Sequence, residues 1–481
     1  MTAPEEEHTV QDETPRTAPG DDRWPVGGWT SPGPMNGTDT FFWRMGANPL
    51  TRPHVTWAWF LDKPPDRSAF LDGCRWIVGK LPRLTHRVAD TPLRVGTPVW
   101  EPDPDFRLTR HVHRMRLPDP AGPRELLDLI EWRNSTDFDP LHPPWEATVV
   151  EGYERERAAI VLKWHHSVGD AVTIVAALSR LLPQSARVNL PDSLPHFGEG
   201  KARVPAAAAR LFPASAAHGV TEGTRAALWE TVRALSSPGD AKDSGRRVAR
   251  SLVQMMQPVR PSPLLRRRSP AIRCGMATVP LAGLKAAGKA VGASVTAAYV
   301  SAVLGAFHRY HDHHGSSHRS LPTLVPVNIR TPYEYGAGNI VAAVRVAGPI
   351  GDMPSPARTA AVHTAIAEAR ETLVRGFYTT LVDLGSGLPG LVHRWLVPPV
   401  LKSVDIVVTS VPGFSRTTYS ADARVLGTVP WAPRGGAAAN ISMSSHNGTC
   451  TIGTNLDPAA ITDTDLFHHC LEQSLQETIT L

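Results

Sequence analysis

Between residues 147 and 182 the chain changes its apolar period twice, and this stretch constrains the fold more than any other. Residues 147–153 alternate between apolar and polar. The charged run Glu154-Arg155-Glu156-Arg157 interrupts, and residues 158–164 alternate back. Side chains two apart share one face of a strand, so two such runs around a short turn predict an antiparallel hairpin. Beyond Asp170, the apolar residues Ile174, Val175, Leu178, Leu181 and Leu182 fall at helical spacing. The hairpin thus delivers His165-His166-Ser167-Val168-Gly169-Asp170-Ala171 to a strand-to-helix corner. A chain built from such units is a mixed α/β protein.

At 481 residues the chain suits two lobes of roughly 200 residues each. Residues 1–34 are acidic and Pro-rich and read as a disordered tail rather than a signal peptide. A first lobe spans 35–190, with a helix expected over 70–81. Residues 191–270 are rich in Pro, Ala and Arg, with a helical piece at 225–235, and read as an inter-lobe linker in which Arg266, Arg267 and Arg268 face solvent. A second lobe spans 271–481. It opens on a helix that Ser294 can cap, and strands are expected over 323–330, 340–346 and 404–411. Residues 440–446 and 449–456, joined by Asn447-Gly448, form the strongest hairpin signal in the chain, because Asn-Gly suits a type I′ turn.

The formal charge is +5, enough to welcome an anionic ligand or an acidic lipid surface. No aromatic-interleaved basic stripe points to nucleic acid. Cys74, Cys274, Cys450 and Cys470 lack metal-ligand spacing and read as reduced thiols, and no run approaches the roughly 20 apolar residues of a membrane span. The resulting expectation is a cytoplasmic protein, peripheral to a membrane or lipid surface at most. Nothing in the sequence speaks to oligomeric state.

The chemistry suggested by the corner is proton abstraction near neutral pH, for which histidine has the matching pKa. Successive strand residues point to opposite faces, so only one of His165 and His166 can meet a given pocket. Asp170 can fix the corner through hydrogen bonds without touching substrate. A metal site would need a third ligand at helical or hairpin spacing, and none stands nearby, so no metal is expected. A satisfied core pair of histidines is the plainer alternative.

Around this corner the sequence resembles the bacterial wax ester synthase/diacylglycerol acyltransferase family of CoA-dependent acyltransferases. Met35-Asn36-Gly37-Thr38-Asp39-Thr40-Phe41-Phe42-Trp43 is similar to the family's opening block, and Pro140-Leu141 with Trp145-Glu146 to its PLxxxxWE element. HHSVGDA follows about twenty residues later. Pro326-Val327-Asn328-Ile329-Arg330, Gly338-Asn339, Val407-Val408-Thr409-Ser410-Val411-Pro412-Gly413 and Asn440-Ile441-Ser442 follow in the family's order. Ala171 stands where the family has glycine after the aspartate, and Ser410 where it has asparagine.

The resemblance implies two chloramphenicol-acetyltransferase-like lobes, each a mixed sheet flanked by helices, with a channel between them. It makes His166 the general base and His165 its buried neighbour, pairs Asp170 with Arg330, and suggests Asn339, Asn440 and Ser442 as oxyanion donors. Gly169, Trp145, Thr409 and Ser410 are expected along the channel. The implied reaction transfers an acyl chain from acyl-CoA, a co-substrate rather than a bound cofactor, to an alcohol, giving a wax ester or triacylglycerol. Two alternatives keep the fold: a specialised-metabolite acyltransferase using a small hydroxyl or amine acceptor or an acyl carrier protein thioester, and a non-catalytic thioester- or lipid-binding protein.

Two further histidine groups are set apart. His311, His313 and His314 close the Ser294 helix before Gly315 and are read as C-terminal caps rather than a metal cluster. His111 and His113 are expected on the surface.

Overall fold

The computed structural model describes residues 32–90, 96–186, 190, 193–195, 259–328, 339, 341–371 and 403–480. The tail through residue 31, the helical piece at 225–235, most of the linker and Arg330 lie outside the described residues.

The first described element is a short strand, β1 (Gly33–Pro34). Helix α1 (Gly37–Met45) follows, capped by Asn36, whose Oδ1 accepts from the Asp39 amide. Strand β2 (His54–Leu61) and helix α2 (Arg67–Lys80), capped by Asp66, come next. Strands β3 (His86–Ala89) and β4 (Val99–Pro102) join β1 in a small antiparallel sheet. A single helical turn, α3 (Leu108–His111), runs into β5 (Val112–Arg116). Helix α4 (Pro123–Ser135) starts with proline in its first turn, where a missing N–H costs nothing.

The predicted hairpin is present as β6 (Trp145–Tyr153) and β7 (Arg157–His165), and α5 (Ala171–Leu181) follows it. Helices α2 and α5 cover one face of the sheet and α4 the other. Strands β2 and β7 are therefore apolar on both faces, as expected of central strands.

The described end of the linker is built into the second lobe rather than solvated. Leu265 is fully buried, the Ser262 amide donates to Asp405, and Arg268 donates to Gly436 O and lies 3.7 Å from the Asp405 carboxylate. Only Arg266 and Arg267 face solvent as expected.

Strand β8 (Arg273–Pro280) opens this lobe, followed by helices α6 (Leu281–Ala290) and α7 (Val295–His313), the latter capped by Ser294. Strands β9 (Ser320–Asn328) and β10 (Val341–Pro349), helix α8 (Ser355–Glu371) and strand β11 (Ile406–Val411) follow. The predicted Asn-Gly hairpin is β14 (Ala439–His446) and β15 (Thr449–Leu456). Its turn residues Asn447 and Gly448 both have positive φ, at 46° and 80°. Helix α9 (Thr464–Ile479) ends the fold and packs with α7 over the sheet β10-β9-β11-β14-β15-β8.

Strands β12 (Tyr419–Ser420) and β13 (Ala423–Trp431) break the expected division of the chain. They leave the second lobe and complete the first, whose sheet runs β12-β13-β2-β7-β6-β5. Strand β13 also packs on the second sheet: Trp431 Nε1 donates to Gly275 O and Asn455 Nδ2 to Ala432 O. A Cβ at Gly453 would collide with Pro430 O, so this crossing requires glycine.

Among the described residues no single helix is long and apolar enough to cross a membrane. Helices α6 and α7 pass that test only together, bent by 97°. Most of α7 is buried in the second lobe's core.

Candidate active site

The corner at the end of β7 is held by main-chain bonds running in opposite directions. The His165 amide donates to Pro144 O at 2.9 Å, and the His166 amide to Pro53 O at 2.8 Å. These acceptors lie at the entries to β6 and β2, on either side of β7, so the two imidazoles diverge. A short 3-10 turn follows, and Asp170 caps α5 by accepting from the Thr173 amide at 2.9 Å. Ala171 is thus the first helical residue, where no glycine is needed. Gly169 is extended and buried, and its carbonyl accepts from Trp164 Nε1.

His165 is buried. Its Nδ1 accepts from the Ser167 amide at 3.2 Å and lies 2.8 Å from Ser167 Oγ, and its ring sits beside Trp43 and His54. Its Nε2 would lie 3.0 Å from a Cβ at Gly46, so that glycine allows the close approach. Burial holds the pKa of His165 well below the ordinary histidine value, with the neighbouring imidazoles His54 and His166 adding to the effect.

His166 is half-buried and turns toward the second lobe. Phe42 stacks on its ring, with centroids 3.9 Å apart and planes 16° from parallel. Its Nδ1 is 3.0 Å from Asn339 Oδ1. Burial lowers its pKa, opposed by the Asp170 charge and the Asn339 bond. Among the described residues nothing hydrogen-bonds its Nε2.

Asn339, from the segment joining β9 to β10, is tied in turn to α1. Its Nδ2 donates to Asp39 Oδ1 and to His166 O, both at 2.7 Å. Both amide hydrogens are thereby committed, so in this arrangement Asn339 has no donor left for an oxyanion. Asp39 is buried and 3.4 Å from Arg83 Nη1; desolvation raises its pKa to about 6 against the pull of Arg83 and Asn339.

The other expected residues form separate groups. Thr409 and Ser442 are neighbours across β11 and β14, and both donate to Asn440 Oδ1, at 3.2 and 3.0 Å. Asn440 Nδ2 donates to Pro433 O at 2.8 Å. Ser410 is half-buried next along β11, so it faces away from Thr409. Trp145, expected along the channel, instead packs in the first lobe's core; its ring stacks on His111 and its Nε1 donates to Leu84 O at 2.7 Å. His111 is correspondingly buried rather than on the surface, because its ring fills the gap between Trp145 and Phe106. His113 is half-buried.

Sequence reasoning gave Asp39 and Phe42 no chemical role. An acidic residue in a helix's first turn reads as a dipole contact, and only their place in the opening block marked them.

Among the described residues no three His, Cys, Asp or Glu side chains gather as a metal site. His314 does close α7, with its Nδ1 2.8 Å from Tyr310 O. His311 is buried, with Nδ1 2.7 Å from Phe307 O and Nε2 2.8 Å from Ser262 Oγ, so it fastens the linker to α7 rather than serving as an exposed cap.

Comparison with known proteins places this geometry in context. The wax ester synthase/diacylglycerol acyltransferase catalytic domain model matches residues 35–299, and the WS/DGAT C-terminal domain model matches residues 337–478. A putative diacylglycerol O-acyltransferase of Mycobacterium tuberculosis is 31% identical over 92% of this chain and 91% of its own length. Among solved structures, the wax ester synthase/diacylglycerol acyltransferase of Marinobacter aquaeolei covers 93% of this chain and 100% of its own, at TM-score 0.63 and 19% identity. The starter condensation domain of rhizomide synthetase, solved with C8-CoA and Leu-SNAC, shares the fold at TM-score 0.58 and 10% identity, covering 94% of each chain. The chain is an acyltransferase that belongs to the wax ester synthase/diacylglycerol acyltransferase family.

Proposed function

We propose that this enzyme transfers an acyl chain from acyl-CoA directly to the hydroxyl of an alcohol acceptor, with His166 Nε2 taking the hydroxyl proton. One observation carries the reading: of two adjacent histidines, His166 alone turns toward the second lobe, with Nδ1 engaged by Asn339 and burial keeping the ring neutral. A neutral imidazole with one nitrogen anchored can accept a proton at the other.

The attack is direct, without a covalent enzyme intermediate, and the lobes serve to hold thioester and hydroxyl in register. As the hydroxyl oxygen bonds to the thioester carbon, its proton passes to Nε2. The tetrahedral intermediate collapses with loss of the CoA thiolate, which takes that proton back. Asn440 keeps one amide hydrogen beyond the one given to Pro433 O, and it is the donor we assign to the oxyanion. Asp170 stabilises the corner, with Arg330 as its partner. The acceptor is a fatty alcohol or diacylglycerol, in keeping with the printed names of the relatives.

The test is release of free CoA from a long-chain acyl-CoA, measured with and without a panel of alcohols, with products identified by mass spectrometry. Saturable release that requires an alcohol supports the reading. Release that ignores the acceptor makes the protein a thioesterase. No release with any acyl-CoA, but turnover of an acyl carrier protein thioester, moves the donor to a carrier protein.

A further inference from the structure

The side chains around His166 determine which of its nitrogens bears hydrogen. His166 O has no hydrogen to give, and Asp39 is a carboxylate beside Arg83. Both face the same end of the Asn339 amide at 2.7 Å, and that end must therefore be the NH2. The opposite end, facing the imidazole at 3.0 Å, is the carbonyl oxygen. An oxygen accepts only, so the bond exists only if Nδ1 carries the hydrogen, which leaves the lone pair on Nε2. A free neutral imidazole side chain prefers the opposite tautomer, with Nε2 blocked.

His165 takes the opposite form. Its Nδ1 accepts from the Ser167 amide, so its hydrogen is on Nε2. Adjacent rings are thus held in different tautomers by different neighbours.

The ultimate anchor is in the first lobe. Asp39 and Phe42 lie three residues apart on one face of α1; Phe42 stacks on the imidazole, and Asp39 orients the amide that reads it. Arg83, over the Trp100 ring, neutralises Asp39 from behind.

We propose that Asp39 is a positioning residue of the reaction: acting through Asn339, its carboxylate fixes His166 in the Nδ1–H tautomer and leaves Nε2 as the proton acceptor. The proposal rests on His166 being the general base. It gives a residue of the opening block a specific role, and it gives Asn339 a role in place of oxyanion stabilisation.

The experiment is histidine-selective 15N labelling of the full chain. Long-range 1H–15N correlation distinguishes a protonated from an unprotonated ring nitrogen, and the His166 signals are identified by their loss in His166→Gln. The wild-type ring is expected to show Nδ1–H with an unprotonated Nε2. In Asp39→Asn the new amide turns its oxygen to Arg83 and its NH2 to Asn339. Two NH2 groups then oppose each other, Asn339 is driven to flip, and the ring shifts toward Nε2–H. Turnover should fall by roughly a hundredfold or more, as when a carboxylate behind a catalytic histidine becomes an amide, with the KM for acyl-CoA changed much less. Exchanging the groups, in Asp39→Asn/Asn339→Asp, should restore Nδ1–H and part of the lost turnover.

An Nε2–H signal in the wild type overturns the proposal, and that spectrum needs no variant to fold. Asp39→Asn with tautomer and turnover unchanged overturns it too, as does lost turnover with the tautomer intact. Failure of the underlying reading looks different: His166→Ala would then stay active whatever the wild-type spectrum shows.

Discussion

Two of the histidine groups in this chain, at the end of β7 and at the end of α7, share little beyond composition. At the end of α7 each engaged ring points back into its own lobe. His311 takes Phe307 O and Ser262 Oγ, His314 takes Tyr310 O, and the result is a closed helix end with a linker fastened to it. At the end of β7 the main chain splits the pair. His165 is held within the first lobe, its Nδ1 on Ser167, whereas His166 is held at Nδ1 by a residue from the other lobe. The contrast teaches that histidine content says little. A ring engaged inside its own lobe is structural, and a ring anchored at one nitrogen where two lobes meet has a nitrogen to offer.

The sharpest test of that contrast is turnover. Removing His166 as His166→Ala should cost about a hundred- to ten-thousand-fold in kcat while acyl-CoA binding persists, the usual contribution of a positioned base. His311→Ala should leave kcat near wild type. The reverse result would break the comparison.

The next effect in size is on acid stability. Burial, the first cause in each case, depresses the pKa of His165 well below the ordinary value, of His54 to about 3, and of His311 and His468 to about 4. The unfolded chain therefore binds more protons than the folded one once pH falls below about 6.5, the ordinary histidine value. Stability should decline from there toward pH 4. Asp39 and Asp405, each raised to about 6 chiefly by burial, act in the opposite direction between about 6 and 4 and soften the decline. Thermal melts across this range check the sign. The activity limb should likewise rise through an apparent pKa below that of ordinary histidine, because burial lowers His166.

Smaller losses should separate the structural rings from the reactive one. His165→Ala and His311→Ala each leave buried partners unsatisfied, Ser167 in one case and Ser262 in the other. Each should destabilise by roughly 1–3 kcal/mol in denaturant titrations. Asp170→Ala removes the α5 cap, at about 0.5–2 kcal/mol. His314→Ala should cost least, about 0.3–1 kcal/mol, the scale of an exposed helix-end contact.

What could be read from the sequence was local. The β6–β7 hairpin, the Ser294 cap and the Asn447-Gly448 turn each depend on residues a few positions apart, and each is present. Strand β2 gave no alternation because it is covered on both faces, and its run Trp57-Ala58-Trp59-Phe60-Leu61 has no polar side to mark the period. Strand β13 alternates well enough, but nothing in its residues says that its partner lies some 370 positions earlier, at Trp57 and its neighbours. The site failed to show for the same reason. Asp39 and Asn339 are 300 residues apart, and their bond is invisible until the lobes are brought together. Trp145 and His111 lie in the core instead of along the channel and on the surface: Trp145 Nε1 donates to Leu84 O, and His111 Nδ1 lies 2.9 Å from Trp145 O.

The exchange of β13 between lobes bears on how the chain is born. Until Trp431 has left the ribosome, β2 has β7 on one side and no strand on the other. Through most of synthesis the first lobe therefore shows the cell an apolar, tryptophan-rich edge of the kind that recruits other strands. A protein stitched together this way cannot be matured half by half. Its early portion keeps that edge unpaired until residues 423–431 have been made.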